Sequence, residues 1–146
     1  LNIPCVIFMI TSKINDDLFL SKNDIIQLSK NNLITIGSHS HSHTKFSEKS
    51  SEDVVTDIEK SVKIIEDLTN QKVNSFAFPY GSYKSDNFKI LNNLNLSKIC
   101  TSNYGYNTTF DQPINRIEII EKDNIISFSK KITGFYDYLY FKKIFY

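Results

Sequence analysis

Strand-like apolar runs and amphipathic helical stretches take turns along the first hundred residues of this chain, and that alternation restricts its fold more than any other feature. Ile3 to Ile10 are apolar on both faces and end at Thr-Ser-Lys, the signature of a buried parallel strand. Ser21, with Asp24 three residues later, opens a helix of roughly ten residues with Ile25, Ile26 and Leu28 on one side. Leu33 to Ile36 form a second strand closed by Gly37. Ser51 then caps a longer helix, because Val54, Val55, Ile58, Val62, Ile65 and Leu68 recur at spacings of three and four. Val73 to Phe78, Asp86 to Leu94 and Ser97 to Thr101 continue as strand, helix and strand, and Ile117 to Ile120 add a fifth strand. Such an order calls for parallel strands with helical crossovers, in an open α/β sheet or a barrel.

The segment 124–145 reads as a closing helix crowded with Phe and Tyr. Phe128, Ile132, Phe135, Leu139 and Lys142 repeat every three to four positions and make a stripe that faces a core or a partner. A Tyr-rich amphipathic helix of this kind can also lie on lipid. The natural division is residues 1–122 as one α/β domain and 123–146 as a C-terminal helix packed on it.

The chain has 146 residues, 40% of them apolar, which suits one packed domain. Its formal charge of +1 gives no field for nucleic acid. No apolar run approaches the roughly 20 residues that a transmembrane helix needs. Cys5 and Cys100 sit far apart in apolar stretches without metal-site spacing, and read as a buried, reduced pair. The chain opens at Leu1 without an initiating Met, a basic leader or a cleavage signature, and reads as one entered mid-domain.

All three histidines lie within Gly37-Ser38-His39-Ser40-His41-Ser42-His43, directly after a predicted strand. Ligands in α/β proteins collect at the carboxyl ends of parallel strands, where this loop must lie. If the loop makes one helical turn, His39 and His43 project to the same side and His41 points elsewhere. The cluster is a divalent-metal site, a hydrogen-bonding structural cluster or a set of solvated loop histidines. The next strand runs into Pro79-Tyr80-Gly81. There Pro79 fixes one torsion and Gly81 permits an unusual one, so the Tyr80 backbone N–H can be aimed outward as an oxyanion donor; the same triplet is also an ordinary turn.

Taken together, these segments resemble the polysaccharide deacetylase domain (NodB homology, carbohydrate esterase family 4). The histidine loop is similar to that family's Gly-Ser-His, Thr or Ser, two residues and a second His. Asn2-Ile3-Pro4-Cys5-Val6-Ile7-Phe8-Met9 resembles its Asn-Ile-Pro strand, Phe76-Ala77-Phe78-Pro79-Tyr80-Gly81 its Phe-Ala-Tyr-Pro-Tyr-Gly segment, and Pro113-Ile114-Asn115-Arg116-Ile117 its late Pro-x-x-Arg-Ile stretch. The resemblance covers residues 2 to 120. It implies a deformed (β/α) barrel that lacks its first strand, with His39 and His43 as ligands of a divalent metal, zinc first among them. It implies a catalytic Tyr80, Pro79, Tyr80 and Gly81 against the substrate, and Ser40 orienting the loop. The implied activity is removal of N-acetyl groups from an amino-sugar polysaccharide, on glycans of the cell envelope or exported ones.

The family's Asp-Asp pair, one base and one metal ligand, belongs to a strand ahead of Asn2. The single Asp-Asp pair present, Asp16-Asp17, falls in a loop and reads as solvated. The family's late His has no counterpart after His43, and Ala77 stands where many members have an Arg. An inactive carbohydrate-binding or interaction module on the same fold is the rival expectation. An open barrel edge is expected to invite self-association.

Overall fold

The computed structural model describes residues 2–105, 107 and 113–135. Four parallel strands, β1 (Cys5–Met9), β2 (Ile34–Ser38), β3 (Ser75–Ala77) and β4 (Lys98–Cys100), lie side by side in chain order. Helices α1 (Lys22–Ser29), α2 (Ser51–Thr69) and α3 (Asp86–Asn93) make the crossovers, and α4 (Ile125–Ile132) follows. Sequential parallel order with a helix between successive strands is the arrangement of a (β/α) barrel rather than a doubly wound sheet.

The helix starts follow from local chemistry. Ser21 and Asp24 form a reciprocal capping box, Ser21 Oγ accepting from the Asp24 N–H while the Asp24 carboxylate accepts from the Ser21 N–H. The cap of α2 is Ser50 rather than Ser51: the Ser50 hydroxyl accepts the Asp53 N–H, leaving Ser51 as the first helical residue. α2 stops at Asn70, which takes a left-handed φ of 54°. The buried face of α2, Val54, Ile58 and Ile65, meets Ile25, Phe46, Phe76, Phe78, Leu91 and Ile99 in one core. Phe46, Phe76 and Phe78 stack and abut edge to face at centroid distances of 5.4–6.2 Å.

Several expectations need correction. β1 is not buried on both faces: Ile3 and Val6 are exposed and only Met9 joins the core, because β1 is an edge strand paired on one side alone among the described residues. For the same reason Cys5 is exposed, while Cys100 is half-buried; both are free thiols. Gly37 lies inside β2 instead of closing it. Residues 117–120 form no strand, and the place beside β4 is taken by a parallel bridge from Cys100 to Ile114. Of the closing helix expected over 124–145, Ile125–Ile132 is helical as α4; Phe128, Ile132 and Phe135 are exposed, so the stripe faces no core among the described residues, and 136–145, with Leu139 and Lys142, lie outside them. Among the described residues no helix is long and apolar enough to cross a membrane.

Candidate metal centre

β2 delivers the histidine loop to the carboxyl edge of the sheet, and the loop is tied down on three sides. Toward β1, the His39 N–H donates to Met9 O at 2.8 Å, and the Thr11 and Ser12 N–H groups donate to Ser40 O and His41 O. Toward α2, the Asp57 carboxylate accepts the His41 N–H at 2.7 Å and the Ser42 N–H at 3.1 Å. Inside the loop, Ser40 is fully buried, and its hydroxyl accepts the His43 N–H at 2.9 Å. Both Ser40 and His43 take positive φ, 71° and 53°, a conformation unfavourable for residues with a Cβ; the surrounding hydrogen bonds hold it.

This bend sets the imidazoles of His39 and His43 with centroids 5.0 Å apart. The His43 ring lies 4.6 Å from the Tyr80 ring. His41 departs from the pair, its Nδ1 bonding the Thr11 hydroxyl at 2.9 Å. His39 Nδ1 stands 2.6 Å from Ala77 O; a carbonyl can only accept, so Nδ1 carries the proton and Nε2 keeps its lone pair. Burial depresses the His39 pKa, with His43 and Arg116 adding to the effect against the Ala77 hydrogen bond, so the ring is neutral near pH 7.

The second strand end contributes a single 3₁₀ turn, Pro79–Gly81, in which Tyr80 takes a φ of 55° and Gly81 a φ of 62°. A Cβ on Gly81 would come within 2.6 Å of Ser102 Cβ, so glycine is required there for both torsion and space. The Tyr80 side chain is exposed. Ser102 in turn lines a cavity of about 400 Å³ with Arg116, Ile117, Glu118 and Ile119; neither His39 nor His43 lines it. Arg116, the sole arginine, is pinned there: Nε donates to Thr101 O at 2.8 Å and the guanidinium lies 5.8 Å over the Phe8 ring.

The structure thus brings His39, His43 and the Pro79-Tyr80-Gly81 turn together and sends His41 elsewhere. Asp16 and Asp17 are exposed, and Asp16 pairs with Lys13. Two contributors were not singled out from the sequence, the Asp57 carboxylate and the Ala77 carbonyl. Asp57 carries a weak signal, a carboxylate beside the apolar stripe of α2; a backbone carbonyl carries none. An imidazole pair suits a zinc-like ion, which in catalytic sites takes three protein ligands and a water. Among the described residues no third His, Cys, Asp or Glu completes such a set.

The family model described as "Polysaccharide deacetylase" matches residues 1–99. No curated protein sequence matches the chain. Among solved structures, a CE4-family pseudoenzyme from Bacillus anthracis is similar at 24% identity and a TM-score of 0.60, over 67% of this chain and 33% of its own. The polysaccharide deacetylase BC0361 of Bacillus cereus is similar at 16% identity and a TM-score of 0.79, over 89% of this chain and 42% of its own. The deacetylase PplD of Streptococcus pyogenes, solved in complex with acetate, is similar at 18% identity and a TM-score of 0.78, over 89% of this chain and 59% of its own. The chain therefore spans between a third and three fifths of these relatives, and at such identities the likeness is one of fold.

Proposed function

Because the chain belongs to the polysaccharide deacetylase family, we propose that it hydrolyses N-acetyl groups on an amino-sugar polysaccharide, through a divalent metal held by His39 and His43. The observation that carries this reading is the imidazole pair, 5.0 Å apart, set against Tyr80 at the mouths of two adjacent parallel strands. When bound, a zinc-like ion supplies a Lewis acid for the acetyl carbonyl and a water of lowered pKa. His39 is prepared for this by its own surroundings: the Ala77 carbonyl fixes the tautomer and the ring plane, and burial keeps the ring unprotonated. Ser40 positions His43 by accepting its backbone N–H. The backbone N–H of Tyr80 helps hold the oxyanion that forms as the acetyl carbon becomes tetrahedral. Pro79, Tyr80 and Gly81 shape the surface against which the sugar rests.

A second reading is an inactive carbohydrate-binding module on the same fold, and the likeness to a CE4-family pseudoenzyme at 24% identity favours it. General acid–base assistance typically contributes about 10²–10⁴-fold, and no carboxylate among the described residues joins the imidazoles to provide it. The deciding assay is acetate release from N-acetylated chito-oligosaccharides with and without added zinc. Zinc-dependent release that His39→Ala and His43→Ala abolish supports the hydrolase. Glycan binding with no acetate under either condition supports the module.

Self-association belongs to the same proposal. The outer edge of β1 has no strand partner among the described residues, and its free N–H and C=O groups suit pairing with a second copy. Sedimentation velocity across a hundredfold range of concentration tests it; a monomer throughout removes it.

A further inference from the structure

Arg116 is a half-buried cation with no carboxylate to neutralise it among the described residues. Its Nε is spent on the Thr101 carbonyl at 2.8 Å and the Phe8 ring lies 5.8 Å from the guanidinium carbon, so two contacts fix the plane of the fork. Thr101 is itself fully buried, which leaves that anchor little play. The backbone is held as well, the Arg116 N–H donating to Asn103 O at 3.2 Å. The two terminal nitrogens, with four N–H donors, have no hydrogen-bond acceptor among the described residues. They belong to a side chain that lines the cavity of about 400 Å³. Charges withdrawn from water are ordinarily paired, so an oriented, unpaired guanidinium on a cavity wall marks a place for an anion.

We propose that Arg116 binds a carboxylate carried by the glycan, so that the polymer holds uronic-acid residues beside its acetylated amino sugars. The proposal rests on the deacetylase reading for placing a glycan there, and on the cavity for the rest. Ile117 and Ile119 offer an apolar wall for the C–H face of a sugar ring, while the Ser102 hydroxyl and the Glu118 carboxylate offer partners for its hydroxyls. With Nε occupied, the terminal nitrogens present an end-on fork that matches the two oxygens of a carboxylate. One cation answers one such charge, and Glu118 in the same lining repels a doubly charged phosphate. The cavity adjoins the strand mouths through Ser102: a Cβ on Gly81, in the Tyr80 turn, would lie 2.6 Å from the Ser102 Cβ. The Arg116 charge is also felt at His39. A uronic acid seated on Arg116 thus has its neighbouring amino sugar directed toward that turn.

Calorimetric titration of the full chain in metal-free buffer reads glycan binding apart from turnover. The probes are a hexasaccharide of alternating glucuronate and N-acetylglucosamine, and the neutral hexamer of N-acetylglucosamine. At low salt the acidic hexasaccharide is expected to bind about tenfold or more tightly than the neutral one, and to lose most of that preference at about 0.5 M sodium chloride. Arg116→Gln should remove the preference, and Arg116→Lys, a point charge without the fork, should keep only part of it. Glu118→Gln leaves every described hydrogen bond in place, since only its backbone carbonyl is engaged, and should tighten the acidic hexasaccharide about two- to fivefold. Equal affinities for the two hexasaccharides, no binding of either, or no gain in Glu118→Gln overturns the proposal. So does displacement of the acidic hexasaccharide by free acetate or inorganic phosphate as readily as by free glucuronate, which assigns Arg116 to small anions. Acetate release does not enter these readings. A chain that binds the acidic glycan yet releases no acetate with zinc removes the hydrolase and leaves the Arg116 site standing.

Discussion

Replacing Gly37 with alanine tests how the sheet brings the two strand ends together. Gly37 sits in β2 two residues before His39, and a Cβ there would lie 2.6 Å from Ser75 Oγ, 2.8 Å from Phe8 Cδ1 and 2.9 Å from Phe8 Cε1. All three distances are shorter than real Cβ contacts, so either neighbour must move. Phe8 has little freedom, since the Arg116 guanidinium lies over its ring. Overpacking of this kind costs about 2 kcal/mol, which for a domain of this size lowers the melting temperature by roughly 4–8 °C. Ser75 offers an internal control. Its hydroxyl is buried and has no hydrogen-bond partner, a state that costs about 1–3 kcal/mol, so Ser75→Ala alone should be neutral or stabilising. In the double variant the 2.6 Å contact is gone, and Gly37→Ala should recover about half of its loss, a coupling of roughly 1 kcal/mol. Urea and thermal unfolding followed by circular dichroism measure all four chains, with an unchanged m-value confirming comparable unfolding. A Gly37→Ala melting temperature within 1 °C of the parent, or no coupling to Ser75→Ala, refutes the reasoning.

Two further outcomes follow from the same geometry. Asp57→Ala removes the acceptor for two backbone N–H groups of the histidine loop, and should destabilise the chain by about 1–3 kcal/mol and weaken zinc binding by about 10–100-fold, read by calorimetry. The Glu66 carboxylate is held below its usual pKa, first by the Lys72 side chain and then by the Val73 N–H, so its contribution is present above the unfolded-state value near 4.3 and is lost as the pH falls through that region. Glu66→Gln should therefore be less stable than the parent at pH 7, with the difference shrinking as the pH falls below about 4, in urea titrations across that range.

The parallel alternation was legible because each element carries its own local signal. Ser21 and Asp24 announce a capping box, and the Val54–Ile58–Ile65 stripe announces the buried face of α2. What the sequence hid depends on neighbours. An apolar run looks the same whether a strand has one partner or two, so the exposure of Ile3 and Val6 on the edge strand was not visible. Gly37 looks like the end of a strand in the sequence; in the fold its missing side chain serves the close approach of Ser75 and Phe8. At the site, the spacing of His39 and His43 is local and legible, but the loop makes no helical turn: it bends through left-handed Ser40 and His43, and the Thr11 hydroxyl holds His41 apart from the pair. The Ala77 carbonyl and the Asp57 carboxylate reach the loop from 38 and 16 residues away, and only the fold brings them there.

The account turns on whether two imidazoles bind a cation beside Tyr80, and zinc titration of the parent and three single alanine variants addresses it directly by calorimetry. The prediction is one zinc per chain, lost in His39→Ala and in His43→Ala and retained in His41→Ala. Equal losses in all three variants, or no zinc bound by the parent, would contradict it.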